Sequence, residues 1–525
     1  MKKLSFKWPD KLTVGLVILG IGLIYFIFLP VSYDFDGTVF SHYLRSGLIK
    51  NDLKIIHQPQ HPLYMPVNYF LYKALQVTLD YNVLEYFHLQ LFALVFGLLT
   101  LWFCYKIIRQ ITDRRFFQAA GILLIAASYA TWYYSVEAEV HMPGLFFVTA
   151  GMYLLFFKPG NPDRWTRALG AAACFALAAG FHLTNGLIAF SVFLVFLIER
   201  KSFTKIFRFF SLYAALLVLE LAIFSWLSNI NLLEFYKNQL SGQDVLAGYK
   251  ISYWSGFSPI NLWESLKAAA NGILFPLSPP SPVPAVLSIG LFLGASALAA
   301  YTSIRTKNEN RRNDYRFWFW ILPYFIFFTF WDHRRIEFKL NVILPLLILF
   351  IASAAKFPQK KIKAVPMTAI MMVVGILAIG SVNFYFSILP ANNIKNNVNY
   401  QVAEAVAAAT PPQSVIVIGG CGTDLSIHNK IYIPYFALRK TFILDWMLGK
   451  GLSLEEIRGQ VLREMNRGTP VYFFSEILHE SKTLEQVLKN HNLKAPDYFA
   501  FLDTLNFKEK IPLIKGYYLL PSTLK

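Results

Sequence analysis

Long apolar runs separated by short polar loops dominate the first three quarters of the chain. The first run, Leu12 to Val31, carries no charge and at about 1.5 Å per residue is long enough to cross a bilayer. Further runs of near-span length follow at 84–105, 116–134, 143–157, 168–181, 184–198, 208–228, 283–303, 317–331, 338–355 and 365–388. The segment 62–79 is less apolar, with Asn68, Lys73 and Gln76, and reads either as a span or as a helix lying at the interface. After 388 the pattern changes. A helical stretch Tyr400–Ala409, a buried strand S-V-I-V-I ending at Ile418, a strand T-F-I-L-D, a helix S-L-E-E-I-R-G-Q-V-L-R-E-M and a strand P-V-Y-F-F predict a small α/β layer.

The loops sort by charge. With 62–79 on the surface, the loops bearing Lys106/Arg109/Arg114/Arg115, Lys158/Arg164/Arg167, Arg200/Lys201/Lys205/Arg208, Arg305/Lys307/Arg311/Arg312/Arg316 and Lys356/Lys360/Lys361/Lys363 all fall on one side, together with the N-terminal lysines. This arrangement predicts an α-helical polytopic membrane protein of about eleven spans, with the N-terminus cytoplasmic. Residues 1–388 form the membrane domain, with outer loops at 32–83 and 229–282, and residues 389–525 form an extracytoplasmic α/β domain. A helix near 260–273 is expected in the second of those loops. The outer loops hold the acids and histidines: Asp34 and Asp36, His57 and His61, Glu137, Glu139 and His141, His182 and Asn185, and the run Asp332, His333, Arg334, Arg335, Glu337. Basic residues mark one face and acids with histidines the other.

Composition agrees with this architecture. Hydrophobic residues make up 55% of the chain and charged residues 15%, against about a quarter charged in soluble domains. The net charge of +18 then reads as topology signals and headgroup attraction rather than nucleic-acid binding, for which no signature is present. The start M-K-K-L-S-F-K-W-P-D-K has a signal-peptide layout, but V-S-Y-D-F-D offers no small-residue cleavage site, so a retained anchor is expected. Cys104, Cys174 and Cys421 imply no disulfide framework and lack metal-site spacing.

Charged groups beside hydrocarbon are costly, which gives the outer-loop residues functional weight. Asp34 and Asp36 stand within a turn or so of the membrane surface, although Asp-Gly is a common turn and Asp36 suits a helix start. Two carboxylates are compatible with Mg²⁺ or Mn²⁺ but are thin support for a metal, and no cofactor is expected. H-Q-P-Q-H is broken by Pro59, so His57 and His61 do not share a helical face. Arg334 and Arg335 suit a lipid phosphate at headgroup depth, or alternatively a local ion-pair network with Asp332 and Glu337. H-L-T-N at 182–185 reads as cavity lining or as a satisfied turn; Glu139 and His141 mark the mouth of a span. G-G-C-G-T-D after the first strand lacks nucleotide-binding spacing and has no clear helix after it, so a tight turn is expected.

With these stretches in view, the chain resembles the GT-C superfamily of membrane glycosyltransferases, and within it the protein O-mannosyltransferase-like branch. That branch runs D-x-G-E-F, H-P-P-G-Y-P-L-Y, E-V-Y and H-x-T-N; here the counterparts are D-G-T-V-F at 36–40, H-Q-P-Q-H-P-L-Y at 57–64, E-V-H at 139–141 and H-L-T-N at 182–185. Val39, Gln60-His61 and His141 depart from the pattern, which bears on the acceptor more than on the chemistry. The resemblance implies a sugar donor on a polyprenyl phosphate and an aspartate base in the first outer loop, which falls on Asp36 with Asp34 as the neighbour. His57, His61, Glu139, His141, His182, Asn185, Arg334 and Arg335 become the candidate substrate-binding residues. The expectation is a hexosyl-, mannosyl- or pentosyltransferase acting with inversion on a protein, lipid or glycan acceptor outside the membrane. A bacterial inner membrane is the simplest location. A transporter or flippase of lipid-linked saccharides is the alternative; it calls for mid-span charges and repeats, and only Glu220 within 208–228 fits. A non-catalytic scaffold would leave the outer-face acids dispensable.

Overall fold

The structure is a computed structural model that describes residues 10–58, 60–160, 165–229, 258–275, 309–356 and 364–523, with a few isolated positions between. Most of the expected 283–303 span, most of the 229–282 loop, and Arg164, Arg305, Lys307, Lys360, Lys361 and Lys363 lie outside the described residues. The chain divides into two compact units: one holds residues up to Pro30, 51–232 and 253–392, the other 31–50, 233–252 and 393–525.

The first unit is helical. Its apolar runs fold as α1 (Asp10–Ile27), α3 (Tyr64–Leu79), α4 (Glu85–Ile111), α5 (Arg115–Ala127), α6 (Tyr129–Val136), α7 (His141–Met152), α8 (Trp165–Phe181), α9 (Ile188–Ile198) and α10 (Phe203–Ser228), while α2 (Phe35–Lys50) belongs to the second unit. Later helices run Pro259–Asn271, Glu309–Phe330, Leu340–Lys356 and Ala364–Asn383. Among the described residues four helices are long and apolar enough to cross a membrane, or five if the bent α5–α6 pair is one span; four more apolar helices are shorter. The unit exposes large apolar side chains along α10 (Phe203, Val218, Trp226) and the Ala364–Asn383 helix (Met371, Val374, Leu377), as lipid-facing helices do. Its interior is aromatic, with Phe175, Phe317, Trp320 and Tyr324 fully buried.

The expected run 116–134 is broken. At Ser128 the backbone is extended and α6 leaves α5 at 64°. A break inside an apolar bundle must satisfy its freed backbone groups. Here Ala130 N–H donates to Gly272 O (2.8 Å), Tyr129 N–H to Ile273 O (3.2 Å), and the Asn383 amide donates to both Ala127 O and Ile273 O (2.9 Å each). The bend sets the direction of α6, whose C-terminal end carries Tyr134, Glu137 and Glu139. At the opposite, base-marked ends of the helices, Arg316 pairs with Glu199 (2.5 Å) and Lys356 with Asp314 (2.9 Å). Both carboxylates are nearly buried, so neither cation is a loose surface charge.

The second unit is the expected α/β layer. β1 (Val415–Ile418) lies between β2 (Lys440–Ile443) and β3 (Val471–Phe474), parallel to both; β6 (Tyr518–Thr523) pairs antiparallel to β3 and carries β4 (Asn506–Phe507) and β5 (Ile511–Pro512). All four residues of β1 and of β3 are buried, which explains their unbroken apolar runs. Ser453 and Glu456 close a capping box on the Leu454–Asn466 helix. One expectation is corrected: a helix, Asp424–Tyr432, does follow G-G-C-G-T-D, capped by Thr423. Its sequence D-L-S-I-H-N-K-I-Y is short and polar, which hid it. The loop itself is packed by protein: a Cβ at Gly422 would meet Lys482 O at 2.7 Å, and Gly422 sits at φ +85°. Close packing and backbone conformation account for the glycine without a ligand.

Candidate active site

The candidate residues divide between the two units. Asp34 and Asp36 belong to the second. Asp34 accepts the Asp36 N–H at its Oδ2 (3.1 Å), and its backbone carbonyl accepts from Thr38 N (2.9 Å) and Thr38 Oγ1 (2.8 Å). The local cap at the start of α2 is therefore made by Asp34, while Asp36 stands in the first turn. Both carboxyls are half-buried, with oxygens within 4.8 Å of each other. So close a pair supplies two ligands to a cation or a shared site for a proton.

The backbone ahead of α2 is held by residues nearly four hundred positions away. Tyr33 adopts a left-handed φ of +48°, an unfavourable conformation for an aromatic residue. Asn397 Nδ2 donates to Ser32 O (2.6 Å) and Val31 O (3.2 Å), and the Tyr432 hydroxyl donates to Ser32 O (3.2 Å) and to Tyr33 O. Tyr33 also packs on Tyr400 and Phe436, with ring centroids 5.5 and 4.9 Å away. Further along α2, the Arg45 guanidinium donates to Tyr435 O (2.6 Å) and lies 4.0 Å over the Tyr435 ring. The strained turn and its aspartates thus rest on the C-terminal domain.

In the first unit, three of the sequence motifs meet. Leu63 N–H donates to Gly180 O (2.9 Å) and Leu183 N–H to Gln60 O (3.1 Å), stitching the H-P-L-Y turn to the end of α8. This brings the His61 ring to 4.6 Å from His182, and His141 to 5.2 Å from His182. Glu139 Oε2 lies 3.8 Å from His141 Nε2. Asn185 is buried, its Nδ2 bonded to Ala178 O (3.1 Å) and its Oδ1 accepting from Asn341 Nδ2 (3.0 Å). Burial, and next the neighbouring histidine, push His61 and His182 well below the usual imidazole range, so both are neutral at pH 7. His182 Nδ1 faces the backbone N–H of Thr184 (3.3 Å) and its hydroxyl (2.7 Å); as acceptor there, the ring carries its proton on Nε2.

His57 is buried earlier in the same loop, and burial lowers it to about 4. No contact joins it to the three-histidine group among the described residues. Arg335 is engaged by Asp332 (2.9 Å) and Glu337 (3.2 Å), the ion-pair network that was one of its two readings. Arg334 is exposed beside His333 and has no ion pair among the described residues.

A small cavity opens at this place, lined by His141, His182, Asn185, Glu337, Phe338 and Asn341 among others. Glu337 was seen in the sequence only as an ion-pair partner; here its Oε2 accepts from the Tyr134 hydroxyl at the end of α6 (2.8 Å). Asn341 was not anticipated. It sits one residue into an apolar helix, and an asparagine at the head of such a run was the available signal. Lys339 was also missed: it is fully buried, with Nζ donating to Phe328 O (3.1 Å).

A family model described as dolichyl-phosphate-mannose-protein mannosyltransferase matches residues 61–228. No curated protein matches the chain by sequence. Among solved structures, ArnT from Cupriavidus metallidurans bound to undecaprenyl phosphate is 11% identical, covers 97% of each chain, and superposes with a TM-score of 0.62. The Archaeoglobus fulgidus oligosaccharyltransferase, in its apo form, is 11% identical over 99% of this chain and 75% of its own, with a TM-score of 0.56. Arabinofuranosyltransferase AftD from Mycobacteria is 10% identical over 99% of this chain and 40% of its own, at 0.55. All three are GT-C glycosyltransferases, and at these identities the likeness is one of fold.

Proposed function

From a chain with the GT-C fold, we propose a membrane glycosyltransferase that moves a sugar from a polyprenyl-phosphate donor to an acceptor hydroxyl on the extracytoplasmic face. The observation that carries the reading is the meeting of the H-P-L-Y, E-V-H and H-L-T-N segments around one polar cavity at the mouth of apolar helices. The family match over 61–228 supports it, as does the fold shared with a protein bound to undecaprenyl phosphate.

In this reading Asp36 is the general base. It takes the acceptor's O–H proton as that oxygen attacks the anomeric carbon; the bond from that carbon to the phosphate oxygen breaks, and the polyprenyl phosphate leaves with the electron pair. A single displacement inverts the anomeric centre. Asp34, already committed to the helix cap, orients the turn. With Arg335 bound by two carboxylates, Arg334 is the cation that steadies the departing phosphate. His57, buried and neutral, shapes the loop, and His61, Glu139, His141, His182 and Asn185 hold the donor. The leaving group is already a phosphate, so no nucleotide or cofactor enters the scheme; transfer measured with and without EDTA tests that point. The chain spans the membrane about eleven times, with the N-terminus cytoplasmic and the 389–525 domain outside, in a bacterial inner membrane.

The test is reconstitution of the full chain in liposomes with radiolabelled undecaprenyl-phosphate hexoses and pentoses. The reading expects sugar transfer with release of undecaprenyl phosphate. Movement of intact donor across the bilayer without transfer would replace it with the flippase alternative. Reporter fusions at Lys360 and at the C-terminus should report opposite sides.

A further inference from the structure

The cavity in the first unit has a wall chemistry that selects among the parts of such a donor. Its only formally charged lining group is Glu337; no lysine or arginine lines it among the described residues. Tyr134 donates to Oε2 and Arg335 to Oε1, which favours the carboxylate form and still leaves an acceptor lone pair on each oxygen. The two buried asparagines are fixed by a chain of bonds. Trp320 Nε1 donates to Asn341 Oδ1 (3.3 Å), Asn341 Nδ2 to Asn185 Oδ1 (3.0 Å), and Asn185 Nδ2 to Ala178 O (3.1 Å). Each Nδ2 retains one further N–H. His182 adds its Nε2–H. Beneath these groups the Phe338 ring lies parallel to Phe328, at 4.8 Å and 2°.

A phosphate would meet a carboxylate here with no cation to offset it, and an acyl chain would strand four polar groups. Vicinal hydroxyls, each able to donate and accept, match an ionised acceptor flanked by N–H donors over an aromatic face. We propose that this cavity is the glycosyl subsite of the donor, that Glu337 and Asn341 read its ring hydroxyls, and that it takes a non-acidic sugar and rejects a uronosyl one. This rests on the donor class proposed above and goes further in assigning the sugar, rather than the phosphate or the lipid, to these residues.

The full-length protein in nanodiscs is titrated with bare undecaprenyl phosphate, with its mannosyl, glucosyl and arabinosyl forms, and with its glucuronosyl form. The expected result is that at least one uncharged glycosyl lipid binds about tenfold or more tighter than the bare lipid, and the glucuronosyl lipid does not. Glu337→Gln and Asn341→Ala should each remove most of that gain and leave bare-lipid affinity within about twofold, which also shows that the variants are folded. Glu337→Gln should in addition narrow the penalty on the glucuronosyl form. A gain that survives both substitutions overturns the assignment, as does a parallel loss of bare-lipid binding or tightest binding of the uronosyl lipid. If the wild type binds bare lipid but gains nothing from any sugar, this inference alone fails; if it binds no polyprenyl phosphate, the donor reading falls as well.

Discussion

The cavity and the aspartate pair are built by opposite means. The cavity is lined largely by neutral groups, buried in an apolar bundle and cross-bonded until little conformational freedom remains: histidine against histidine, amide against amide, a turn stitched to a helix end. The aspartates stand half-exposed on a short helix behind a strained tyrosine, and their support comes from Asn397, Tyr432 and Tyr435 in the C-terminal domain. Rigid neutral walls suit binding; a charged group at a partly solvated edge suits proton transfer. The contrast also gives the α/β domain a task that its own loops do not reveal, since G-G-C-G-T-D is filled by its neighbours.

The comparison breaks most visibly at Asp36. Asp36→Asn should lower kcat by roughly 10²- to 10⁴-fold, the range lost with a general base, measured as label transfer from undecaprenyl-phosphate sugar. Asp34→Asn keeps a capping oxygen and should cost far less; equal losses would mean the two act as one dyad. Next in size, Arg45→Ala removes the bond and the cation–π contact to Tyr435 and should lower kcat by about three- to tenfold with KM unchanged, because the base is loosened and not the donor site. A rise in KM alone would assign substrate binding to the second unit.

The smallest effects are on stability, and they have opposite signs in the two units. His57 falls from 6.5 to about 4 on folding, so between those values the unfolded chain binds more protons and the first unit loses stability as pH falls from 6.5 toward 4. Glu476, buried at the end of β3 and accepting from Gly419 N–H and Ser426 Oγ, rises from 4.5 to about 7. There the folded state holds the extra proton, so the second unit loses stability as pH rises from 4.5 to 7. Hydrogen exchange resolved by segment should show these opposed trends, and Glu476→Gln should flatten only the second.

The sequence made the bundle side of the site legible because its residues come in compact motifs at span mouths. His61, His141, His182 and Asn185 could be picked out for that reason. Glu337 and Asn341 were harder, since one looked like an ion-pair partner and the other like a stray polar residue in a span. The bend at Ser128 was hidden because its backbone groups are satisfied by Gly272, Ile273 and Asn383, far off in sequence. The grouping of 31–50 with the C-terminal residues was illegible for the same reason: Arg45 and Tyr435 are 390 positions apart, and no local pattern records such a contact. Local periodicity specifies helices and strands, while partnership across the chain depends on packing.

The central claim is that the donor is bound by one unit and the proton is taken by the other. It is tested most directly by measuring, on one preparation of Asp36→Asn, both the affinity for an undecaprenyl-phosphate sugar accepted by the wild type and the single-turnover rate of transfer. The account predicts wild-type affinity with transfer nearly abolished. Transfer at the wild-type rate, or loss of donor binding in step with loss of transfer, would contradict it.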